Sequence, residues 1–164
     1  MLSNNMHKMK VLKFGGTSVG TIESIQKVLE IIQNNVTNGE QIAVVFSAMG
    51  GVTNRLIEIG KKASDNEIGY LEDLQTVEER HFHVIRKLID VKQQSALIAK
   101  VKVIFNEIED LLRGISLIRD ISPRTMDLLL SFGERLSTNI IHSTLVDRGV
   151  NATFVDTRNL IKTD

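Results

Sequence analysis

The chain has 164 residues with a single proline, 42% apolar residues and no cysteine, a composition that suits one compact domain and excludes collagen-like, disordered and disulfide-framework proteins. Twenty Lys and Arg balance twenty Asp and Glu, so no overall field draws the protein to nucleic acid or to an anionic membrane, and any anion it binds must be captured locally. Without cysteine there are no thiolate zinc sites or cysteine nucleophiles, and neither the amino-terminal MLSNNMHKMK nor any later stretch has the apolar length of a signal peptide or membrane span, so the chain reads as soluble and cytoplasmic.

Val11 to Phe14 is a short apolar run ending in Gly15-Gly16, and Ile22, Ile25, Val28, Leu29, Ile32 and Val36 then fall at helical spacing: strand, glycine turn, helix. Asn38-Gly39 stops that helix, Ile42 to Phe46 is a second strand, Gly50-Gly51 a second turn, and Thr53 to Ala63 a second helix. Between Tyr70 and Asp120 two apolar stripes at helical spacing, Leu71 to Leu88 and Leu97 to Ile115, predict two long helices meeting near Lys92 to Ser95 as an antiparallel hairpin. Ser122-Pro123 is a helix start, because serine caps free amides and proline has no amide to waste. The helix is expected to reach Leu130, with Gly133 interrupting the apolar pattern that runs on to Gly149, and Ala152 to Val155 reads as a third strand. Three strands are few for such a sheet, so the chain is expected to be the amino-terminal part of a larger catalytic domain.

Glycines after a buried strand let the backbone approach a ligand closely, while amides of the turn and of the following helix start carry partial positive charge. Two named phosphate motifs do not fit "KFGGTSVG": the lysine precedes the glycines, and the glycines are adjacent. Lys13 alternates with Leu12 and Phe14, so its ammonium is expected at the carboxyl end of the sheet beside the turn, within reach of a phosphoryl oxygen. The alternative is an edge-strand lysine paired with a carboxylate. In "VVFSAMGGVTN", Ser47 and Thr53 stand at the same sheet edge, where open α/β sheets bind ligands; they hold a small polar substrate or else cap the turn and helix. In "LLLSFGERLS", a break at Gly133 would aim Glu134 inward toward an ammonium group; the alternative is a solvated helix-start acid. Glu78 and His81 have the spacing of a di-iron half-site, but no second copy exists, so they read as a plain surface helix. His81 and His83, two apart on a helix, face different directions.

The segments "VLKFGGTSVG", "VVFSAMGGVTNRL" and "SFGERLSTNII" resemble, in order, the signature blocks of the aspartate kinases of the amino-acid kinase family, and "LLRGISLIRDISPRTMDLLLSFGERLS" is most similar to the kinase end of the bifunctional aspartate kinase/homoserine dehydrogenases. The resemblance implies an α/β fold, a partial αβα sandwich of the amino-acid kinase type with a mainly parallel sheet and a helical hairpin insertion. It implies ATP-dependent phosphorylation of the side-chain carboxylate of L-aspartate, with Mg2+ shielding the phosphates and a homo-oligomeric parent. By motif position, Lys13 would neutralise charge on the transferring phosphoryl group and Gly15, Gly16, Thr17 and Ser18 would line the phosphate cradle. Ser47 and Thr53 would contact aspartate, and Glu134 its α-ammonium. The family's later Gly-Arg-Gly-Gly-Ser-Asp-like segment, adenine-binding region and regulatory domain have no counterpart here, so the isolated chain is expected to be inactive. The competing readings are a kinase for glutamate or carbamate, a non-catalytic nucleotide-binding module, and a helical interaction protein built on residues 70–120.

Overall fold

The computed structural model describes residues 9–161; most of the amino-terminal stretch read for a leader (1–8) and the end of the polar tail (162–164) lie outside them. Two parallel strands, β1 (Lys10–Phe14) and β2 (Ile42–Phe46), pair in register from Lys10 opposite Ile42 to Phe14 opposite Phe46. The helix α1 (Ile22–Thr37) forms the crossover between them, as a parallel pair requires. Thr21 caps α1 in a reciprocal box with Ser24, satisfying orphan amides of its first turn.

Helices α2 (Val52–Ser64), α3 (Tyr70–Leu88), α4 (Val91–Ile118) and α5 (Pro123–Asp147) follow, and a short 3-10 turn at Thr157–Asn159 closes the described chain. The core is one continuous apolar mass made mainly by these helices, with α2 packed against α3, α4 and α5. Leu12, Phe14, Ile42, Val44 and Phe46 share the sheet face turned to it, where the Phe14 and Phe46 rings stack with centroids 5.8 Å apart. The opposite face carries Val11 (65% exposed), Lys13 and Val45 (48% exposed).

The fold is α/β, mostly helical with a small parallel sheet, and four expectations change in detail. The turn between the long helices lies at Ile89-Asp90, because Asp90 caps α4 through the Lys92 amide; Lys92 to Ser95 are already helical. α3 and α4 do run as an antiparallel pair, joined by Glu78 with Lys102 and Phe82 with Phe105. α5 starts at Pro123 under a Ser122 cap but passes straight through Gly133. Ala152 to Val155 forms no ladder: it lies along α5, where the His142 imidazole Nε2 meets the Ala152 carbonyl at 3.2 Å and the Phe154 ring packs on His142 and under Lys100. Helix side chains there take the place of a neighbouring strand. Glu78 and His81, read as surface, are buried core residues, at 8% and 0% exposure. No helix of the described residues is long and apolar enough to cross a membrane.

Candidate functional site

Both strands end in glycine turns at the same carboxyl edge, tied at their base by the Ser47 amide donating to the Phe14 carbonyl at 3.0 Å. Beyond it the turns interlock through bare backbone. A Cβ on Gly16 would lie 3.2 Å from the Ala48 oxygen, and one on Gly50 would lie 3.1 Å from both the Gly16 oxygen and the Gly20 Cα; any larger residue would push the turns apart. Gly15 faces open space, with nothing within 4 Å of its Cβ position, so a ligand can approach its main chain closely.

The amides divide into two sets. Ser18, Val19 and Gly20 donate inside the first turn, and at the start of α1 the capping box with Thr21 takes the Ser24 amide, so only part of the helix start expected to face an anion is left for one. The amides of Gly15, Gly16 and Thr17 donate to no carbonyl among the described residues, a run of successive N–H groups of the kind that forms an anion-binding nest. In the second turn, Gly51 enters α2 with φ 81° and no side-chain cap. Only the Val52 amide is taken, by Met49, and Thr53 lies inside the helix instead of capping it. The first amides of α2 other than that of Val52 are therefore left without a partner among the described residues.

Lys13 is exposed on the uncovered sheet face, not enclosed by the apolar run around it. Neither its ammonium nor the hydroxyls of Thr17, Ser18, Ser47 and Thr53 hydrogen-bond to any described residue, whereas structural hydroxyls such as Ser131 and Thr144 bond back to their own helix. Glu134 is exposed in the middle of α5, not at a break. Its placement comes from its neighbours: Gly133 lies so close to the second turn that a Cβ there would be 2.7 Å from the Ala48 Cβ, and the buried Ser137 hydroxyl donates to the Ser47 carbonyl at 2.8 Å. Glu134 thus stands next to Gly133 and one helical turn from Ser137, the two α5 residues that touch the second turn.

Sequence reasoning missed three contributors. Gly133 reads as a helix breaker and Ser137 as an ordinary polar position, while Arg80 lies in "EERH", with nothing to separate it from surface charge. In the structure Arg80 reaches from α3 to both turns, its two terminal nitrogens donating to the Gly50 carbonyl at 2.8 Å and the Gly20 carbonyl at 2.9 Å.

Parallel strands ending in glycine turns, amides without a partner among the described residues and an exposed lysine stand together in an α/β protein at the carboxyl edge of the sheet, the place where open α/β sheets bind ligands. Residues 8–163 match the model of the amino acid kinase family, and the chain belongs to that family. It is 35% identical over 146 residues to aspartokinase 1, chloroplastic, of Arabidopsis thaliana, covering 87% of this chain and 24% of that protein. It is 33% identical to the aspartokinase of Schizosaccharomyces pombe (92% and 30% covered) and 33% identical to the bifunctional aspartokinase/homoserine dehydrogenase of Buchnera aphidicola (93% and 19% covered). Among solved structures it superposes on Escherichia coli aspartokinase III in complex with aspartate and ADP with a TM-score of 0.79 at 27% identity, covering 92% of this chain and 32% of that one. The chain thus spans a third or less of each of these proteins.

Proposed function

We propose that this chain is the amino-terminal part of the catalytic domain of an aspartate kinase, which transfers the terminal phosphoryl group of ATP to the side-chain carboxylate of L-aspartate. A carboxylate oxygen attacks the γ-phosphorus, the bond to the β,γ-bridging oxygen breaks, and ADP leaves with that electron pair. The product is 4-phospho-L-aspartate, an acyl phosphate on the route to lysine, threonine and methionine. Such a transfer needs little covalent help from protein; positioning and charge stabilisation supply the rate.

The observation that carries this reading is the pair of interlocked turns, one presenting unsatisfied amides at Gly15, Gly16 and Thr17 and the other unengaged hydroxyls at Ser47 and Thr53. The amides and the Thr17 and Ser18 hydroxyls hold the phosphates, and the Lys13 ammonium neutralises charge on the group in transit. Ser47, Thr53 and the open start of α2 hold aspartate at the second turn, with Glu134 pairing its α-ammonium. Mg2+, which binds mainly through nucleotide phosphates and water, would shield phosphate charge at this site when bound. The reading places the enzyme in the cytoplasm as a homo-oligomer. The test is ADP release by the full-length polypeptide carrying this segment. Release that depends on L-aspartate, and not on glutamate or carbamate, is the expected result; nucleotide binding without aspartate-dependent release would overturn it.

A further inference from the structure

The two turns touch through glycine backbone, and backbone contact alone does not fix a distance. At their base the Ser47 amide and Phe14 carbonyl join them; at their far ends the Arg80 guanidinium bridges the Gly50 and Gly20 carbonyls. Those acceptors are 30 and 60 residues away from Arg80 along the chain, so the bridge draws together three elements: α3 and both turns. The flanking acids are engaged elsewhere, Glu78 with Lys102 and Glu79 with Arg86, and Arg80 has no ion-pair partner among the described residues. A planar fork that aims separate N–H groups at two carbonyls is what guanidinium provides and an ammonium on a flexible stem does not.

We propose that Arg80 is a positioning residue for phosphoryl transfer: it sets the separation between the turn that holds the phosphates and the turn that holds the acceptor, and leaves an unneutralised positive charge behind both. This rests on the kinase reading given above. Transfer requires the attacking oxygen to sit about 3–3.5 Å from phosphorus, and a misplacement of about 1 Å can cost about a hundredfold in rate. Each turn keeps its own amides and hydroxyls when Arg80 is lost, so each substrate still binds. What is lost is their mutual alignment.

The test compares full-length protein with Arg80→Lys and Arg80→Ala. Expected are a kcat lower by about 30- to 100-fold, KM values for ATP and aspartate within about threefold of wild type, and partial recovery of Arg80→Ala turnover on adding guanidinium ion. Thermal midpoints identify folded variants; if Arg80→Ala does not fold, Arg80→Lys carries the comparison. Amide hydrogen exchange reads the bridge independently of any activity: exchange should quicken in residues 15–20 and 49–52 together and stay unchanged in α4. Wild-type kcat in a folded variant, or exchange unchanged in the two turns, overturns the proposal. If wild-type protein shows no aspartate-dependent turnover, the kinase reading fails on its own, and exchange then decides the bridge: loosening of both turns supports it and no change overturns it.

Discussion

His81 turns a residue that looks available for chemistry into packing. Its side chain is fully buried on α3, Nδ1–H donates to the Val77 carbonyl at 2.7 Å, Nε2 has no partner, and the ring lies edge-on to Phe105. Burial, aided by the charge of nearby Arg80, pushes its pKa down from 6.5 to about 4, because a buried imidazolium loses its hydration. The unfolded chain therefore takes up the proton first: the contribution is complete above about pH 6.5 and is lost as pH falls toward 4. At about 1.4 kcal/mol for each pH unit, the displacement corresponds to about 3 kcal/mol. Urea unfolding of wild type should show that loss between pH 7 and 4, and His81→Phe should flatten it; the same slope in both would refute the assignment. Lys13, exposed on the open sheet face, makes the opposite prediction. With its ammonium bonded to no described residue, Lys13→Ala in the full-length protein should leave the thermal midpoint nearly unchanged. Turnover should fall far more than aspartate affinity, and unchanged turnover would remove it from the phosphoryl site.

At the scale of elements, two glycines in long helices separate propensity from packing. Gly114 in α4 has nothing within 4 Å of its Cβ position and no positive φ, so Gly114→Ala should stabilise the protein by about 0.5–1 kcal/mol through reduced unfolded-state freedom. Gly133 in α5 offers the same propensity gain, but the new methyl would meet Ala48 Cβ at 2.7 Å. Gly133→Ala should therefore destabilise by about 1–3 kcal/mol, and adding Ala48→Gly should recover much of that loss in a double-mutant cycle. Additive effects of the two changes would show that the contact carries no energy. From sequence Gly133 reads as a break, since a helical glycine is a local cost; its compensation is a neighbour 85 positions earlier in the chain. The two strands that form were legible to within a residue, because short β-rich runs between glycine and Asn-Gly punctuation leave little other choice, whereas the third expected strand, Ala152 to Val155, does not form.

For the whole molecule, the sheet is the element that the proposed function leaves incomplete. Two strands with helices packed on one face leave Val11, Lys13 and Val45 open on the other, and the chain spans 32% of the aspartokinase III chain it superposes on. The 164 residues alone should release no ADP in response to aspartate, while the full-length polypeptide should; aspartate-dependent turnover by the isolated chain would show that these residues suffice. Ala152 to Val155 illustrates why topology is harder to read than elements. Its alternation is strand-like, yet a strand exists only beside a partner, and here the nearest surface is α5 and Lys100.

The order of strands, turns and helices, the helix caps at Asp90 and Ser122, and the glycine turns were set by local chemistry, since each depends on residues within about a turn of one another. Which face of the sheet Lys13 occupies, which amides stay free, and how α5 meets the second turn were decided only in three dimensions. So was the bridging of two carbonyls by Arg80. Those features are contacts across 30, 60 and 90 positions of chain, and no local pattern encodes which distant backbone a side chain will meet once the core has closed.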